Sequence, residues 1–352
     1  MALSGIHSGS PWPLGSSCTT RGVNFSVAAP AAHRIELLLF VDGSATTPSR
    51  VIELDSLIHR SGDYWHVEVE GLGEGCCYGY RVFGPRTPGG HGFQPAKVLF
   101  DPAARAITGW DVYERDLATG AGPNTHACLK GVVTERDLFD LQAHPRPRNS
   151  WQQSVIYELH LGGFTRRGDS GVPPELRGSY RGLIHKLPYL SDLGITAIEL
   201  LPVFAFDPAD APPGRDNVWG YSPLNWFSPH HGYACGDDPL QLRHQMRELV
   251  AACHDAGIEV LLDVVYNHTS EGSRCGPTLS WRGFADRTYY HQTSNGEYLD
   301  VSGCGNSIAA NQPIATQLIL ESMRCWALEL GVDGFRFDLG IALSRGDQLK
   351  PL

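Results

Sequence analysis

Two short segments contain residues whose types and spacing suit catalysis: Asp263-Val-Val-Tyr-Asn-His268 and Gly334-Phe-Arg-Phe-Asp338. Each belongs to an apolar run typical of a buried strand, where an uncompensated carboxylate is costly, so the aspartates must be paired or functional. Because side chains alternate along a strand, Arg336 and Asp338 point to the same side. The guanidinium could therefore keep the Asp338 carboxylate ionised and aimed, as a catalytic nucleophile requires.

Four apolar runs in the second half of the chain supply the strands for these residues. They begin at Val155, Ala197, Glu259 and Gly334. The runs are too continuously apolar for a sheet with one solvated face, so we expect strands buried on both faces.

Helical patterns lie between these runs. Apolar residues on one face predict a helix from about residue 240 to Gly257 and another from Pro313 to Gly331. Alternating strands and helices predict a parallel α/β sheet. Since only four strands can be counted, the expected fold is the first half of a (β/α)8 barrel, with its active site at the C-terminal ends of the strands.

The first half of the chain has a different pattern. Between about residues 20 and 105, short β-rich runs alternate with turn residues, and Trp65, Val67 and Val69 alternate with polar neighbours as in a half-buried strand. This indicates a β-sandwich. The proline-containing stretch 144–150 opposes regular structure. We therefore predict an all-β domain with its linker over 1–150 and an incomplete α/β barrel over 151–352.

Composition excludes several classes of partner. The 352 residues carry a net charge of −10 and no cluster of Lys and Arg, which disfavours nucleic acid and anionic membranes. No run approaches the roughly 18 apolar residues of a membrane span. Nine cysteines without a metal-type pair indicate reduced thiols, so we expect a cytoplasmic protein, or a plastid protein if a targeting segment has been lost.

The two catalytic segments resemble the first and second signature regions of the α-amylase clan of glycoside hydrolases, family 13. Further segments are similar to the isoamylase and glycogen-debranching branch of that clan. The resemblance implies that the β-sandwich is a carbohydrate-binding module of family 48. The supporting segments are 92–102, 157–165, 199–203, 218–223, 264–269 and 302–306.

The resemblance implies a role for individual residues of this chain. Asp338 matches the catalytic nucleophile, and Arg336 matches the arginine that positions it. His268 and Tyr221 match residues that line a sugar subsite, so these two and Arg336 are the expected substrate-binding residues. Supporting positions are matched by Asp263 and Asn267. No cofactor or metal is implied, and the His230-His231 pair has no metal-ligand spacing.

The implied reaction is retaining hydrolysis of α-1,6 branch linkages in glycogen, starch or limit dextrin. It needs a second carboxyl group, the general acid, about 5 Å from the nucleophile. In the family this is a glutamate after the next strand, followed by a His-Asp pair, and residues 339–352 match neither. We therefore expect a truncated chain that is inactive and poorly soluble alone, unless a separate chain supplies the rest of the barrel.

Other functions remain open at this stage. Within the clan, the alternatives are a trehalose-releasing hydrolase, a pullulanase or a branching enzyme. The segments 202–208 and 211–214 favour isoamylase-type debranching over these. A non-catalytic glucan-binding subunit would explain the missing acid, whereas the intact Asp338, Arg336 and His268 argue against it.

Overall fold

The computed structural model describes residues 5–85, 92–346 and 350. Its N-terminal half contains two antiparallel sheets. Their strands are, in chain order, Ile6–His7 (β1), Gly15–Cys18 (β2), Gly22–Ala28 (β3), Arg34–Phe40 (β4), Arg50–Leu54 (β5), Arg60–Ser61 (β6), Tyr64–Glu70 (β7), Cys77–Phe83 (β8), Ile107–Thr108 (β9) and Lys130–Val132 (β10). One sheet has the order β1-β7-β3-β2 with β6 beside β7, and the other has the order β5-β4-β8-β10-β9.

The two sheets pack face to face and share one buried apolar cluster. Phe25 of β3 meets Tyr78 of β8 across the interface, with ring centroids 4.9 Å apart. This arrangement confirms the predicted β-sandwich.

Strand β7 differs from its prediction as a half-buried strand. Trp65, Val67 and Val69 face the core and are fully buried, but His66 and Glu68 on the opposite side are also buried. The segment before β3 covers that side, because His66 Nδ1 contacts the Ser8 carbonyl oxygen at 2.6 Å, and Thr19 donates a hydrogen bond to Glu68 at 2.7 Å.

The C-terminal half contains a four-stranded parallel sheet with its strands in sequence order. Its strands are Ile156–Leu159 (β11), Ala197–Leu200 (β12), Glu259–Val264 (β13) and Gly334–Phe337 (β14). The predicted burial on both faces holds for most of β12 and β13. It is wrong for β11 and β14, where Ile156 is 45% and Phe337 is 38% exposed. Each of these outer strands pairs with one neighbouring strand in the described part of the chain.

The α-helices of the described residues are Arg115–Thr119 (α1), Leu161–Arg166 (α2), Tyr180–Ile184 (α3), Leu187–Asp192 (α4), Pro239–Asp255 (α5), Trp281–Tyr289 (α6), Pro313–Arg324 (α7) and Gly340–Leu343 (α8). Helices α2 to α7 lie between the parallel strands, whereas α1 precedes β11 and α8 follows β14. Short 3-10 turns span Thr125–Ala127, Trp151–Gln153, Pro174–Leu176 and His231–Tyr233. None of the helices described is long and apolar enough to span a membrane.

The two predicted long helices begin near their expected residues. The side chain of Asp238 caps α5 by accepting a hydrogen bond from the Leu240 amide, and Gly257, with a positive φ, follows its end as predicted. Helix α7 begins at Pro313 as predicted and continues as a π-helix over Cys325–Glu329, and Gly331, with a positive φ, follows its end as predicted.

A buried ion cluster joins the sandwich to the parallel sheet. Arg105, which lies between β8 and β9, donates to Glu329 of the π-helix at 2.8–2.9 Å, and Arg243 of α5 donates to the same carboxylate at 2.9 Å. All three side chains are more than nine-tenths buried. The domain boundary expected at residue 150 falls between β10 and β11 and stays a prediction.

Candidate active site

Adjacent strand ends place Asp263 beside Arg336. The two residues are register partners across β13 and β14. Nη1 of Arg336 lies 2.9 Å from both carboxylate oxygens of Asp263 and 3.4 Å from Oδ1 of Asp338. The sequence predicted the contact with Asp338, but the shorter ion pair is with Asp263, which lies on the neighbouring strand.

The Asp263 carboxylate is fully buried and has two donors. Tyr221 donates its hydroxyl to Oδ2 at 2.7 Å, and Arg336 supplies the second donor. Burial raises the pKa of Asp263, whereas these two hydrogen bonds act to lower it. The hydrogen bond to Asp263 in turn raises the pKa of the Arg336 guanidinium. The ion pair therefore fixes a charged arginine near the C-terminal ends of β13 and β14.

Asp338 is held from both backbone and side chain. Its amide donates to the Val264 carbonyl at 3.0 Å, which continues the strand pairing by one residue. Asn267 Nδ2 donates to both the carbonyl oxygen and Oδ2 of Asp338 at 2.9 Å. The Asp338 side chain keeps 16% of its surface exposed. The carboxylate is therefore oriented on both oxygens and still reachable from solvent, as a nucleophile requires.

The residue after Asp338 has an unusual backbone conformation. Leu339 has φ = +42° and ψ = +45°, the left-handed region that non-glycine residues seldom adopt. Such conformations store of order 1–3 kcal/mol of strain and concentrate at functional sites. This turn separates Asp338 from α8.

His268 links Asn267 back to Tyr221. Its Nδ1 lies 2.5 Å from Asn267 Oδ1 and its Nε2 lies 2.9 Å from the Tyr221 carbonyl oxygen. Both partners are acceptors, so a neutral ring donates to one of them, whereas a protonated ring donates to both. Burial lowers the pKa of His268, and the Tyr221 carbonyl and the Asp338 carboxylate oppose that shift.

The six residues predicted from the sequence thus form a closed ring of contacts. The structure brings all of them together, and the roles assigned to them stay predictions. In order around the ring they are Tyr221, Asp263, Arg336, Asp338, Asn267 and His268.

Sequence reasoning missed one arginine that supports this ring. Arg115 of α1 forms an ion pair with the buried Asp207 and with Asp210. It also donates to the Ser270 carbonyl at 2.9 Å, two residues beyond His268. The partners lie 92–155 residues away in the chain, so no local spacing could have identified Arg115.

Acidic residues that the sequence analysis did not select lie near the ring. The negative charges of Asp338, Asp210 and Asp300 all act on His268 and oppose the lowering of its pKa by burial. Asp300 accepts backbone hydrogen bonds from Gly303 at 2.8 Å and Gly305 at 2.9 Å. The backbone of the segment 302–306 therefore holds the Asp300 carboxylate in one orientation.

The adjacent histidines His230 and His231 each stack on an aromatic ring. His230 stacks on Phe206 with centroids 3.6 Å apart, and His231 stacks on Trp110 at 4.0 Å. Among the residues that the structure describes, no group of three His, Cys, Asp or Glu side chains could hold a metal ion.

Comparison with known families defines the class to which this fold and site belong. Residues 149–298 match the catalytic domain of α-amylase, and residues 13–104 match carbohydrate-binding module 48, the isoamylase N-terminal domain. Residues 149–298 therefore belong to the α-amylase catalytic-domain family, and residues 13–104 belong to carbohydrate-binding module 48. The predicted family and fold class are confirmed.

Individual relatives narrow the likeness to debranching enzymes. The chain is 40% identical to the glycogen debranching enzyme of Yersinia enterocolitica, covering 99% of this chain and 53% of the relative. It is 38% identical to the chloroplastic isoamylase 1 of Oryza sativa, covering 98% of this chain and 43% of the relative. The chain thus spans about half the length of the curated relatives it matches.

Solved structures show the same fold. A pullulanase of Paenibacillus barengoltzii, complexed with maltotriose, matches 96% of this chain and 50% of its own with a TM-score of 0.77 at 22% identity. The pullulanase of Bacillus acidopullulyticus matches 94% of this chain and 38% of its own with a TM-score of 0.75 at 27% identity.

Proposed function

We propose that this chain contributes the nucleophile half of an enzyme that hydrolyses α-1,6 branch linkages in α-glucans such as glycogen, starch or limit dextrin. The observation that carries the proposal is the placement of Asp338 at the end of β14, with Asn267 on one carboxylate oxygen and Arg336 near the other. The likeness to glycogen debranching enzymes and isoamylases supports the choice of bond.

In the proposed reaction Asp338 attacks the anomeric carbon of the branching glucosyl unit. The bond to the O6 oxygen of the main chain breaks, and a covalent glucosyl-enzyme forms. A second carboxyl group protonates the departing oxygen and then activates the water that releases the sugar. We assign this second carboxyl group to a further strand of the barrel. That strand would come from additional residues of the same polypeptide or from a separate chain.

His268 and Tyr221 complete the proposed sugar subsite. Tyr221 is partly exposed and its hydroxyl is fixed on Asp263, so its ring has a single orientation. The ring nitrogens of His268 are held by Asn267 and the Tyr221 backbone. A sugar beside Asp338 would therefore meet side chains that are already positioned, which favours the transition state over the free substrate.

The test completes the barrel and removes the nucleophile. The chain is fused to the remaining residues of the Yersinia enterocolitica relative, and release of reducing ends from branched limit dextrin is measured. Asp338→Asn should abolish release, and the matched control Asp169→Asn, at a carboxylate whose side chain is 70% exposed, should leave it unchanged. A fluorinated glucosyl donor should label Asp338, as located by mass spectrometry. Labelling of a different residue would contradict the assignment.

A panel of substrates separates the rival activities in the same fusion. Cleavage of limit dextrin without action on pullulan supports isoamylase-type debranching, and rapid cleavage of pullulan supports a pullulanase. Release of trehalose, or transfer of chains to form new branches, would identify one of the other clan activities. Glucan binding without turnover in any assay would support a non-catalytic subunit.

A further inference from the structure

One arginine of the N-terminal half reaches the loops around the candidate active site. Arg115 begins helix α1, which lies in the connection between β9 and β10, two strands that pair in the sandwich. It falls outside both ranges that match known families, residues 13–104 and 149–298. Its side chain is only 17% exposed. The role of Arg115 must therefore be inferred from its contacts.

The guanidinium of Arg115 serves three acceptors at once. Nη1 forms an ion pair with the fully buried Asp207 carboxylate, and Nη2 donates to Asp210 Oδ1 and to the Ser270 carbonyl oxygen, each at 2.9 Å. Burial acts to lower the pKa of Arg115, but the charges of Asp207 and Asp210 raise it overall, so the side chain stays charged. A planar fork of five N–H donors allows one arginine to bind acceptors on separate segments.

The first of these segments carries Tyr221. Both carboxylate residues that Arg115 binds are tied to Ser222, the residue after Tyr221. The Asp207 amide donates to the Ser222 carbonyl oxygen at 3.0 Å, and the Ser222 hydroxyl donates to Asp210 Oδ2. Arg115 therefore acts on the backbone next to Tyr221 through two short hydrogen-bonded links.

The second segment carries His268. Ser270, whose carbonyl oxygen accepts from Arg115, lies two residues beyond His268 and is 1% exposed. The Ser270 amide donates to the Pro223 carbonyl oxygen at 3.0 Å, which joins this segment to the one that carries Tyr221. Arg115 therefore completes a set of hydrogen bonds that includes the backbone beside both residues of the proposed sugar subsite.

Tyr113, two residues before Arg115, offers an internal comparison. Its hydroxyl donates to Asp207 Oδ2 at 2.8 Å. That bond uses the single hydroxyl proton, so Tyr113 has no donor left for Asp210 or Ser270. Tyr113 thus supports the buried carboxylate, whereas Arg115 supports it and also binds the two segments. A comparison of the two residues can separate these roles.

We propose that Arg115 is a positioning residue for the glucan-cleaving reaction. From the N-terminal half it fixes the segments that carry Tyr221 and His268, so that both side chains meet the sugar in one orientation. The proposal rests on the proposed function for the identity of the reaction. A misplacement of about 1 Å can cost about 100-fold in rate, so loosening these segments should affect turnover more than affinity.

Steady-state kinetics of the fusion enzyme on branched limit dextrin test the proposal. Arg115→Lys keeps a charge for Asp207 but lacks the planar fork, so it should lose the contacts with Asp210 and Ser270. We expect kcat to fall about 10- to 100-fold, with KM changed by less than about twofold. The matched control Tyr113→Phe removes a hydrogen bond from the same buried carboxylate and should keep the kcat of the parent. Equal kcat in the two variants, or a change confined to KM, would overturn the proposal.

A double-mutant cycle separates positioning from independent effects. Asp210→Ala removes the acceptor that links Arg115 to Ser222, at a side chain that is 39% exposed. The kcat losses of Arg115→Lys and Asp210→Ala should not add in the double variant, because both remove the same link. The control combines Arg115→Lys with Asp169→Asn and should show the loss of Arg115→Lys alone. Additive losses for Arg115→Lys and Asp210→Ala would contradict a shared role.

A measurement on the 352-residue chain does not depend on catalysis. Hydrogen exchange, followed by mass spectrometry, should be faster in Arg115→Lys over residues 207–223 and 268–272, where the hydrogen bonds that Arg115 supports are formed. Tyr113→Phe should leave exchange over 268–272 unchanged, and exchange in β3 reports on the whole fold in both variants. Equal exchange over 268–272 in the two variants would show that Arg115 does not fix this segment.

The two proposals fail separately. If the fusion enzyme hydrolyses limit dextrin and Arg115→Lys behaves like Tyr113→Phe, the positioning role is wrong and the proposed function stands. If the unmodified fusion enzyme hydrolyses no glucan, the proposed function is wrong, and hydrogen exchange over 268–272 still decides whether Arg115 fixes that segment.

Discussion

Arg336 is anchored on Asp263 rather than on Asp338. Nη1 lies 2.9 Å from both oxygens of the buried Asp263 carboxylate and 3.4 Å from Asp338. A guanidinium fixed in this way presents positive charge to Asp338 without neutralising it through a closer ion pair. We therefore expect Asp263 to act as a positioning residue through Arg336.

The first prediction concerns the strength of this pair. Because Asp263 is fully buried, Arg336→Met should destabilise the chain by about 1–3 kcal/mol through the unpaired carboxylate, and adding Asp263→Asn should recover part of the loss. Urea unfolding of the single and double mutants measures the coupling. The surface pair Arg181–Glu248, with side chains 41% and 45% exposed, is the matched control and should couple by less than about 1 kcal/mol. Similar coupling free energies in the two pairs would show that burial of Asp263 does not strengthen its ion pair with Arg336.

The second prediction concerns Asn267, which holds both Asp338 and His268. Asn267→Ala frees the carboxylate and the imidazole together, so the fusion enzyme should lose about 10- to 100-fold in kcat with little change in KM. Stability measured by thermal unfolding should fall less than in Arg336→Met, because no buried charge is left unpaired. A rise in KM at constant kcat would instead place Asn267 in ground-state binding.

The third prediction concerns pH. Burial lowers the pKa of His231 from 6.5 to about 4. The unfolded chain therefore binds a proton more tightly than the folded chain, and the stability due to the neutral ring is present above pH 6.5 and lost as the pH falls towards 4. The loss is at most about 3 kcal/mol. Urea unfolding at pH 7 and pH 4.5 should show a smaller difference for His231→Gln than for the parent chain. His33→Gln, at an exposed histidine, should behave like the parent.

The fourth prediction concerns the outer strands of the parallel sheet. β11 exposes Ile156 and β14 exposes Phe337, and each has an edge that pairs with no strand in the described part of the chain. Unpaired edges with apolar side chains promote association. Ile156→Lys should reduce self-association in light scattering, whereas Val41→Lys, at a turn residue that is 77% exposed, should not. Equal association in both variants would point to another surface.

The sequence predicted strands β12 and β13 correctly because the apolar pattern that marks a buried strand is local in the chain. Continuous apolar runs mark β12 and β13, and the spacing of Arg336 and Asp338 follows from strand geometry alone. The preference of Arg336 for Asp263 could not be predicted in this way. It depends on the register of two strands whose paired residues lie 73 positions apart.

Burial of polar groups was harder to predict than the elements that carry them. Glu68 has the spacing of a solvated strand residue, but the N-terminal segment covers it through Thr19 and Arg21. The exposure of Ile156 likewise depends on what lies beside the strand and not on the strand's own composition. The burial of Glu68 and the exposure of Ile156 both depend on residues that are distant in the chain. The alternation of apolar and polar residues along a strand contains no information about such neighbours.

The buried contacts of Arg105 with Glu329 and of Arg115 with Asp207 have a consequence for protein engineering. Deletion of the N-terminal module should destabilise the rest of the chain, since it would leave the buried Asp207 without its arginine and Glu329 with Arg243 alone. The N-terminal module and the parallel-sheet half should therefore unfold in one transition in calorimetry.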